Sequence, residues 1–137
     1  MSRKYLLDTN AVSDLTYRRK RVHERFADAK RSGARIGTCP PIAGELFAGA
    51  EGAADPVKSV REIATMLGKV IIWPYGLDAA REFGRLAAEL RRIGRPMQIP
   101  DIQLAAVAFA LGDCTVVSSD TDLQAVPGLR VENWATG

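Results

Sequence analysis

Short apolar segments alternate with longer amphipathic segments along most of the chain. The apolar segments, which predict strands, are residues 4–7, 35–39, 70–73, 115–117 and 129–131. The longer segments predict mostly helical structure over residues 12–32, 40–50, 56–67, 77–93 and 102–111. Because parallel strands need long connections, this alternation predicts an α/β fold with a mostly parallel sheet between helix layers. The third strand is continuous and β-branched, which indicates that both of its faces are covered.

The charges are unevenly distributed. The chain has 137 residues and a net charge of +3, and this length predicts one domain, over residues 1–137. From Arg18 to Arg35 there are eight basic and two acidic residues, whereas from Asp101 onward there are five acidic residues and one basic residue. The basic segment fits an anionic polymer held near a cation-dependent site, or a solvated basic helix.

The sequence shows neither a membrane span nor a thiol- or histidine-based site. No apolar run approaches the ~20 residues of a bilayer span, and the apolar N-terminal stretch is too short for a signal peptide. We therefore expect a cytoplasmic protein without a membrane partner. Cys39 and Cys114 lie far apart and His23 is the single histidine, which argues against a zinc site and against a cysteine–histidine or serine–histidine nucleophile.

Four acidic residues lie where predicted elements begin or end: Asp8, Glu45, Asp101 and Asp120. Three of them have a structural explanation, because Asp8 fits an Asx turn, Asp101 a helix N-cap and Asp120 the cap of a short helix. Glu45 lies next to Gly49 at the edge of an apolar stripe, so it is expected either to be partly desolvated or to reach water at the rim.

Carboxylates that converge in a fold repel one another. Two like charges about 4 Å apart repel by ~4 kcal/mol at an effective dielectric constant of about 20, so a cluster of four needs a cation. Oxygen ligands without histidine or thiolate favour Mg²⁺ or Mn²⁺. Such an ion activates water for attack on a phosphodiester, which is the chemistry of metal-dependent nucleases.

Four segments in order carry a family resemblance: YLLDTNAVSDL, PPIAGELFAGA, RPMQIPDIQLAAVAFALG and TVVSSDTDLQAVPGLRVENW. Together they resemble the PIN-domain ribonucleases, specifically the VapC-type toxins of bacterial toxin–antitoxin pairs. The resemblance implies a single PIN domain with a three-layer α/β/α fold and a Mg²⁺- or Mn²⁺-dependent endoribonuclease that forms a homodimer. It also implies an RNA substrate, such as transfer or ribosomal RNA, and a cognate VapB-type antitoxin.

The resemblance also implies roles for individual residues. The family's metal-binding acids fall on Asp8, Glu45, Asp101 and Asp120. Supporting residues fall on Asn10 and Ser118, Asp122 is the second choice for the fourth acid, and the role of Thr9 stays open. The arginines expected to contact the RNA backbone are Arg18, Arg19, Arg21, Arg91, Arg92 and Arg95.

An antitoxin groove is expected near Leu15, Tyr17, residues 22–26 and residues 42–50, for which packing in the core or in a dimer is the alternative.

Two other Mg²⁺-dependent folds fit the sequence less well. A receiver domain needs a carboxylate pair after its first strand and a late lysine, but no lysine follows Lys69. A haloacid-dehalogenase-type phosphatase needs Asp-x-Asp where this chain has Asp-Thr-Asn. The remaining alternative is a catalytically silent PIN-like module that binds RNA or a partner.

Overall fold

A five-stranded parallel sheet forms the centre of the computed structural model, which describes residues 3–136. The strands are β1 (Lys4–Leu7), β2 (Arg35–Thr38), β3 (Ile71–Ile72), β4 (Cys114–Val117) and β5 (Arg130–Glu132), in the order β3-β2-β1-β4-β5. Every neighbouring pair is parallel. The predicted α/β fold with a parallel sheet is therefore confirmed.

Helices connect the strands. In chain order they are α1 (Thr9–Thr16), α2 (Val22–Arg31), α3 (Pro40–Glu51), α4 (Pro56–Leu67), α5 (Leu77–Arg92), α6 (Ile99–Leu111) and α7 (Thr121–Gln124). The chain moves outward from β1 to β3, and then returns to the other side of β1 to form β4. Because parallel crossovers are almost always right-handed, this reversal places α1–α4 and α5–α7 on opposite faces of the sheet. No helix within residues 3–136 is long and apolar enough to cross a membrane.

Two local expectations were wrong. The single helix expected over residues 12–32 is two helices, because Arg18 and Lys20 adopt left-handed backbone with φ of 53° and 59°. Left-handed backbone costs ~1–2 kcal/mol for a residue with a side chain, so the break is imposed by surrounding contacts. The strand expected over residues 70–73 is only Ile71–Ile72, at the sheet edge, and Ile72 is 43% exposed. The short helix that was expected as the structural explanation of Asp120 is present as α7.

The core packs around the central strand β1. Leu6 and Leu7 are fully buried because β1 has β2 on one side and β4 on the other. Helix α6 is apolar on nearly all sides, and its residues from Leu104 to Ala108 are buried. Burial of one leucine side chain stabilises the fold by about 1.5–3 kcal/mol. Because β1 and α6 each bury several apolar side chains, they form a rigid support for the residues at their ends.

The carboxyl ends of the central strands β1 and β4 lie side by side at one end of the sheet. Leu7 pairs in register with Val117, so Asp8 and Ser118 leave the two strands side by side. The strand order reverses between β1 and β4, and ligands of open α/β sheets bind beyond the carboxyl ends of the strands at such a switch point. Thr38 at the end of β2 also contributes, since its Oγ1 donates to the carbonyl oxygen of Leu7 over 2.9 Å.

Gly37 is required for the contact between β2 and β3. A Cβ atom at this position would overlap the carbonyl group of Ile71. We expect Gly37→Ala to lower the free energy of unfolding by about 1–3 kcal/mol, because an extra methyl group in a packed sheet forces the strands apart. The matched control is Gly84→Ala in α5, where a Cβ meets no atom within 4 Å. It should stabilise the fold by about 0.5–1 kcal/mol. Thermal and urea unfolding measure both, and equal effects of the two substitutions would contradict this account.

Candidate active site

Asp8 lies at the switch point and also begins a helix. It follows Leu7 directly, and its backbone N–H donates to the carbonyl oxygen of Val117 over 3.1 Å. It is the N-cap of α1, where its Oδ1 accepts from the backbone N–H of Ala11 over 2.7 Å. The side chain thus makes the local turn that the sequence suggested. The residue is only 4% exposed, which is unusual for a carboxylate.

Burial raises the pKa of Asp8, and hydrogen bonds from Ser118 and from the N–H of Ala11 oppose this shift. The negative charges of Asp120 and Asp14 raise the pKa further. Ser118 is itself buried, and its Oγ accepts from the N–H of Asp120 over 2.9 Å. Ser118 therefore connects the first acidic segment with the last one.

Asp101 lies in the first turn of α6. The helix begins at Ile99 and its N-cap is Gln98, so the interpretation of Asp101 as an N-cap was wrong. Burial raises the pKa of Asp101 to about 6, and the charges of Asp120, Glu45, Asp8 and Asp122 contribute in that order. The topology has thus brought acids from three other segments close enough to Asp101 to raise the pKa of its carboxyl group. Asp101 forms no ion pair within residues 3–136 that would compensate this repulsion.

Glu45 projects from α3 at the rim of this cluster. The expectation that it is partly desolvated was wrong, because Glu45 is exposed to solvent beside the exposed residues Gly44 and Gly49. Its position is instead fixed by Thr9, whose Oγ1 donates to Oε1 of Glu45 over 2.6 Å. The sequence left the role of Thr9 open. The available signal was its place between Asp8 and Asn10, but the contact spans two helices and cannot be deduced from spacing.

The two late acids differ in their surroundings. Asp120 is partly buried and caps α7, with Oδ1 accepting from the N–H of Asp122 over 2.8 Å. Asp122 is exposed, and its Oδ1 lies 3.9 Å from Nη2 of Arg95. Asp120 also has the larger effect of the two on the pKa of Asp101. Asp120 is therefore the better candidate for the fourth acid. The cap expected for Asp120 is present as well, and the two explanations are compatible.

The donor set fits a hard cation by its chemistry. Its members offer only oxygen atoms, which suits Mg²⁺ or Mn²⁺. Burial raises the pKa of Cys39 to about 12 and that of Cys114 to about 11, so neither thiol offers a thiolate. As placed, no three acidic, histidine or cysteine side chains within residues 3–136 lie close enough together to hold a metal ion. The residues fit the ion in type and charge, and coordination requires the carboxylates to move closer.

A groove of about 280 Å³ adjoins the cluster between α1, α3 and α4. Its lining includes Thr9, Asn10, Tyr17, Glu45, Leu46, Gly49, Ala50 and Ile63. The expectation that Tyr17 and part of residues 42–50 line a groove agrees with this cavity. Leu15, Val22 and Ile42 are buried in the core and do not line this groove, so the packing alternative applies to them. Asn10 is exposed and lies at the junction of this groove and the small cavity beside Asp8.

The arginines expected to contact RNA are all exposed, but several of them are already paired. Nε of Arg19 lies 3.2 Å from Asp14, and Nη2 of Arg21 lies 2.9 Å from Glu24. Arg91 and Arg92 end α5, and Arg95 follows in the loop that approaches Asp122. Asp14, a buried carboxylate beside Asp8, was not singled out by the sequence.

Comparison with known proteins agrees with this architecture. A family model described as PIN domain matches residues 5–129. The chain belongs to the PIN-domain family. This PIN domain is 31% identical to ribonuclease VapC2 of Haemophilus influenzae over 96% of this chain and 98% of that protein. It is 26% identical to a tRNA(fMet)-specific endonuclease VapC of Salmonella typhimurium, over 96% of this chain and 98% of the relative.

A solved structure of DNA-bound VapBC from Salmonella typhimurium is also similar. It superposes with a TM-score of 0.85 and 26% identity, covering 98% of this chain and 99% of the other. The predicted resemblance to VapC-type PIN domains is thus confirmed, as is the fold class.

Asp101→Asn tests the repulsion within the cluster. A folded-state pKa near 6, above the ordinary value of 3.8, means that protonation favours the folded state. The contribution of this protonation to the stability of the folded state is present below about pH 4 and is lost as the pH rises through about 6. Because the half-exposed carboxyl is screened by water, we expect the substitution to stabilise metal-free protein by only ~1 kcal/mol at pH 7.5.

Thermal unfolding in chelator at pH 4 and pH 7.5 measures the stabilisation by Asp101→Asn. The increase in melting temperature should nearly vanish at pH 4. A lower melting temperature for Asp101→Asn at pH 7.5 would instead mean that Asp101 stabilises the start of α6.

Proposed function

We propose that this PIN domain is a metal-dependent endoribonuclease and the toxin of a type II toxin–antitoxin pair. The observation that carries the proposal is the convergence of acids from separate segments near the paired ends of β1 and β4, where burial and the neighbouring acids raise the pKa of Asp101. Clustered acids with perturbed pKa values in a cleft are typical of catalytic sites. The names of the curated relatives, ribonuclease VapC2 and tRNA(fMet)-specific endonuclease, support RNA as the substrate.

The proposed cofactor is Mg²⁺ or Mn²⁺, held by Asp8, Glu45, Asp101 and Asp120. When bound, such an ion polarises a phosphoryl oxygen and acidifies water, which is the chemistry that hydrolysis of a phosphodiester needs. The proposed products carry 5′-phosphate and 3′-hydroxyl ends.

The remaining tasks belong to the side chains of the chain itself. Oδ1 of Asp8 accepts from the N–H of Ala11, which fixes the orientation of the carboxylate. Thr9 holds the exposed carboxylate of Glu45 in place, and Ser118 orients Asp8. Groups that orient ligands in this way commonly change metal affinity or activity by 10–100-fold when removed. We propose Asn10 as a further supporting residue, since it lies between the two cavities.

The proposed partner is a VapB-type antitoxin. The similar structure from Salmonella typhimurium is a VapBC complex, which supports a partner of this kind. The groove between α1, α3 and α4 has an apolar floor at Leu46 and Ile63 and a carboxylate, Glu45, at its rim. An apolar segment that carries an arginine matches this surface. We further propose a cytoplasmic homodimer built from one PIN domain per chain, with transfer or ribosomal RNA as the substrate.

Glu45→Gln tests the nuclease directly. Purified, antitoxin-free protein should cut RNA with Mn²⁺ and should not cut it with chelator. Glu45→Gln should lower the rate by about 10²-fold or more, because a carboxylate of the proposed metal site loses its charge. The matched control is Glu51→Gln at the end of the same helix, which should cut at the normal rate. Sequencing the 5′ ends of the fragments identifies the cleaved RNA. Absence of cation-dependent fragments from any RNA class would leave a silent RNA- or partner-binding module.

Thr9→Val tests the hydrogen bond to Glu45. Valine keeps the shape of threonine and removes the donor, so we expect a loss of activity of about 10–100-fold. The melting temperature should change little, because the bond is exposed. Thr9→Ser keeps the hydroxyl and should retain most of the activity. Equal rates for the valine and serine variants would exclude a role of this bond in the reaction.

A further inference from the structure

The turn between α1 and α2, residues 17–21, is strained and strongly basic. Four basic residues, Arg18 to Arg21, follow Tyr17 in the sequence. Arg18 and Lys20 are both left-handed, with φ of 53° and 59°, and they flank Arg19. Side chains disfavour this backbone, and such strain persists only where surrounding contacts enforce it, often at functional sites. A contact that holds the turn is therefore expected, and the structure contains one.

Asp14 of α1 makes that contact. Its side chain is only 9% exposed, and its Oδ1 accepts from Nε of Arg19 over 3.2 Å. Its Oδ2 lies 3.6 Å from Nζ of Lys20, and its carbonyl oxygen accepts from the N–H of Arg19 over 2.8 Å. Ser13 adds a bond from Nη2 of Arg19 over 2.6 Å. A buried carboxylate without partners would be costly, so Asp14 and the turn stabilise each other.

These contacts divide the four cations into two groups. Arg19 and Lys20 are committed to Asp14. Arg18 is exposed and forms no ion pair within residues 3–136. Arg21 pairs only with the exposed carboxylate of Glu24, and exposed pairs of this kind exchange readily with other anions. Arg18 and Arg21 thus remain available to an anionic ligand.

The turn borders the acid cluster. Asp14 lines a small cavity together with Asp8 and Ser118. Tyr17, at the start of the turn, lines the larger groove together with Thr9 and Glu45. A polyanion that reaches the acids would therefore pass close to the basic turn.

We propose that Asp14 is a positioning residue, which fixes the turn so that Arg18 and Arg21 bind the phosphate backbone of RNA at the acid cluster. This rests on the proposed ribonuclease function, and it concerns binding of the substrate. Asp14 itself touches neither the RNA nor the reacting atoms.

Asp14→Asn distinguishes this role from simple electrostatics. Removing a negative charge from a protein that binds a polyanion should tighten binding if only net charge matters. If Asp14 positions the turn, its loss should weaken binding, so the two accounts predict opposite signs. The matched control is Asp28→Asn, which removes the same charge from an exposed pair with Arg31 on α2. The control should bind RNA as tightly as the unchanged protein, or slightly more tightly.

The experiment measures the affinity of the full chain for a fluorescently labelled single-stranded RNA, in chelator, over a range of salt concentrations. We expect Asp14→Asn to weaken binding by about threefold to tenfold, as loss of one or two phosphate contacts would. In the reaction with Mn²⁺ and a saturating series of RNA concentrations, KM should rise by a similar factor while kcat is kept. Binding as tight as that of the unchanged protein, or a fall in kcat at constant KM, would overturn the proposal.

Arg18→Gly provides a second variant that keeps the fold. Glycine adopts left-handed backbone freely, so its melting temperature should stay the same or rise. RNA binding should weaken, and the slope of log K against log salt should fall by roughly 0.7, the value of one phosphate contact on a single strand. Arg31→Ala removes the same charge from the last turn of α2 and serves as control. Equal affinity and slope for Arg18→Gly and the unchanged protein would overturn the proposal even if Asp14→Asn fails to fold.

The same measurements separate this inference from the proposed function. If the unchanged protein neither binds nor cuts RNA, the proposed function fails. If it does both and the Asp14 and Arg18 variants match it, only the role of Asp14 and the turn is wrong.

Discussion

The mutual repulsion of carboxylates at one edge of the sheet is the constraint on which the rest of the structure depends. Asp8 is almost fully buried beside the partly buried Asp101 and Asp120, and burial is the largest cause of the raised pKa of both Asp8 and Asp101. A flexible scaffold would relieve this strain by moving the acids apart. Here the in-register ends of β1 and β4 and the apolar helix α6 prevent that movement. The fold therefore keeps the acids near one another, and coordination of a cation requires their carboxylates to move closer still.

The eight-residue helix α1 and its N-cap contribute both to the acid cluster and to the basic turn. Its N-cap is the buried acid Asp8, and Thr9 in its first turn holds Glu45 of another helix. Near its end, Asp14 holds the basic turn that follows. One short helix thus connects the acid cluster with the basic turn at residues 17–21. Their relative positions depend on the packing of α1 against β1, α2 and α3.

The architecture could be predicted from the sequence because it depends on patterns that are local and repeated. Alternating apolar strands and helices predicted the parallel sheet, and Pro56 and Gly68 bracketed α4 correctly. The sequence also placed Asp8 and Asp120 just beyond strand ends, where the structure has them. Their role in metal binding stays a prediction.

The errors occur where a distant contact decides the local structure. The break at Arg18 and Lys20 depends on Asp14, and no local pattern favours left-handed backbone in arginine or lysine. The short β3 reflects its place at the sheet edge, which strand order decides. The helix expected over residues 102–111 begins three residues earlier, at Ile99, so Asp101 lies inside its first turn. For that reason Asp101 is not an N-cap.

The N-cap role of Asp8 has a consequence for how this protein can lose its activity. One oxygen of Asp8 closes the first turn of α1, so alanine at this position removes a cap that typically stabilises a helix by about 1 kcal/mol, whereas asparagine keeps the cap. Asp101 is not an N-cap, and its negative charge opposes folding. A substitution at residue 101 therefore relieves charge repulsion and leaves the cap of α1 in place. Alanine at residue 8 removes that cap, so we expect it to lower the amount of folded protein where alanine at residue 101 does not.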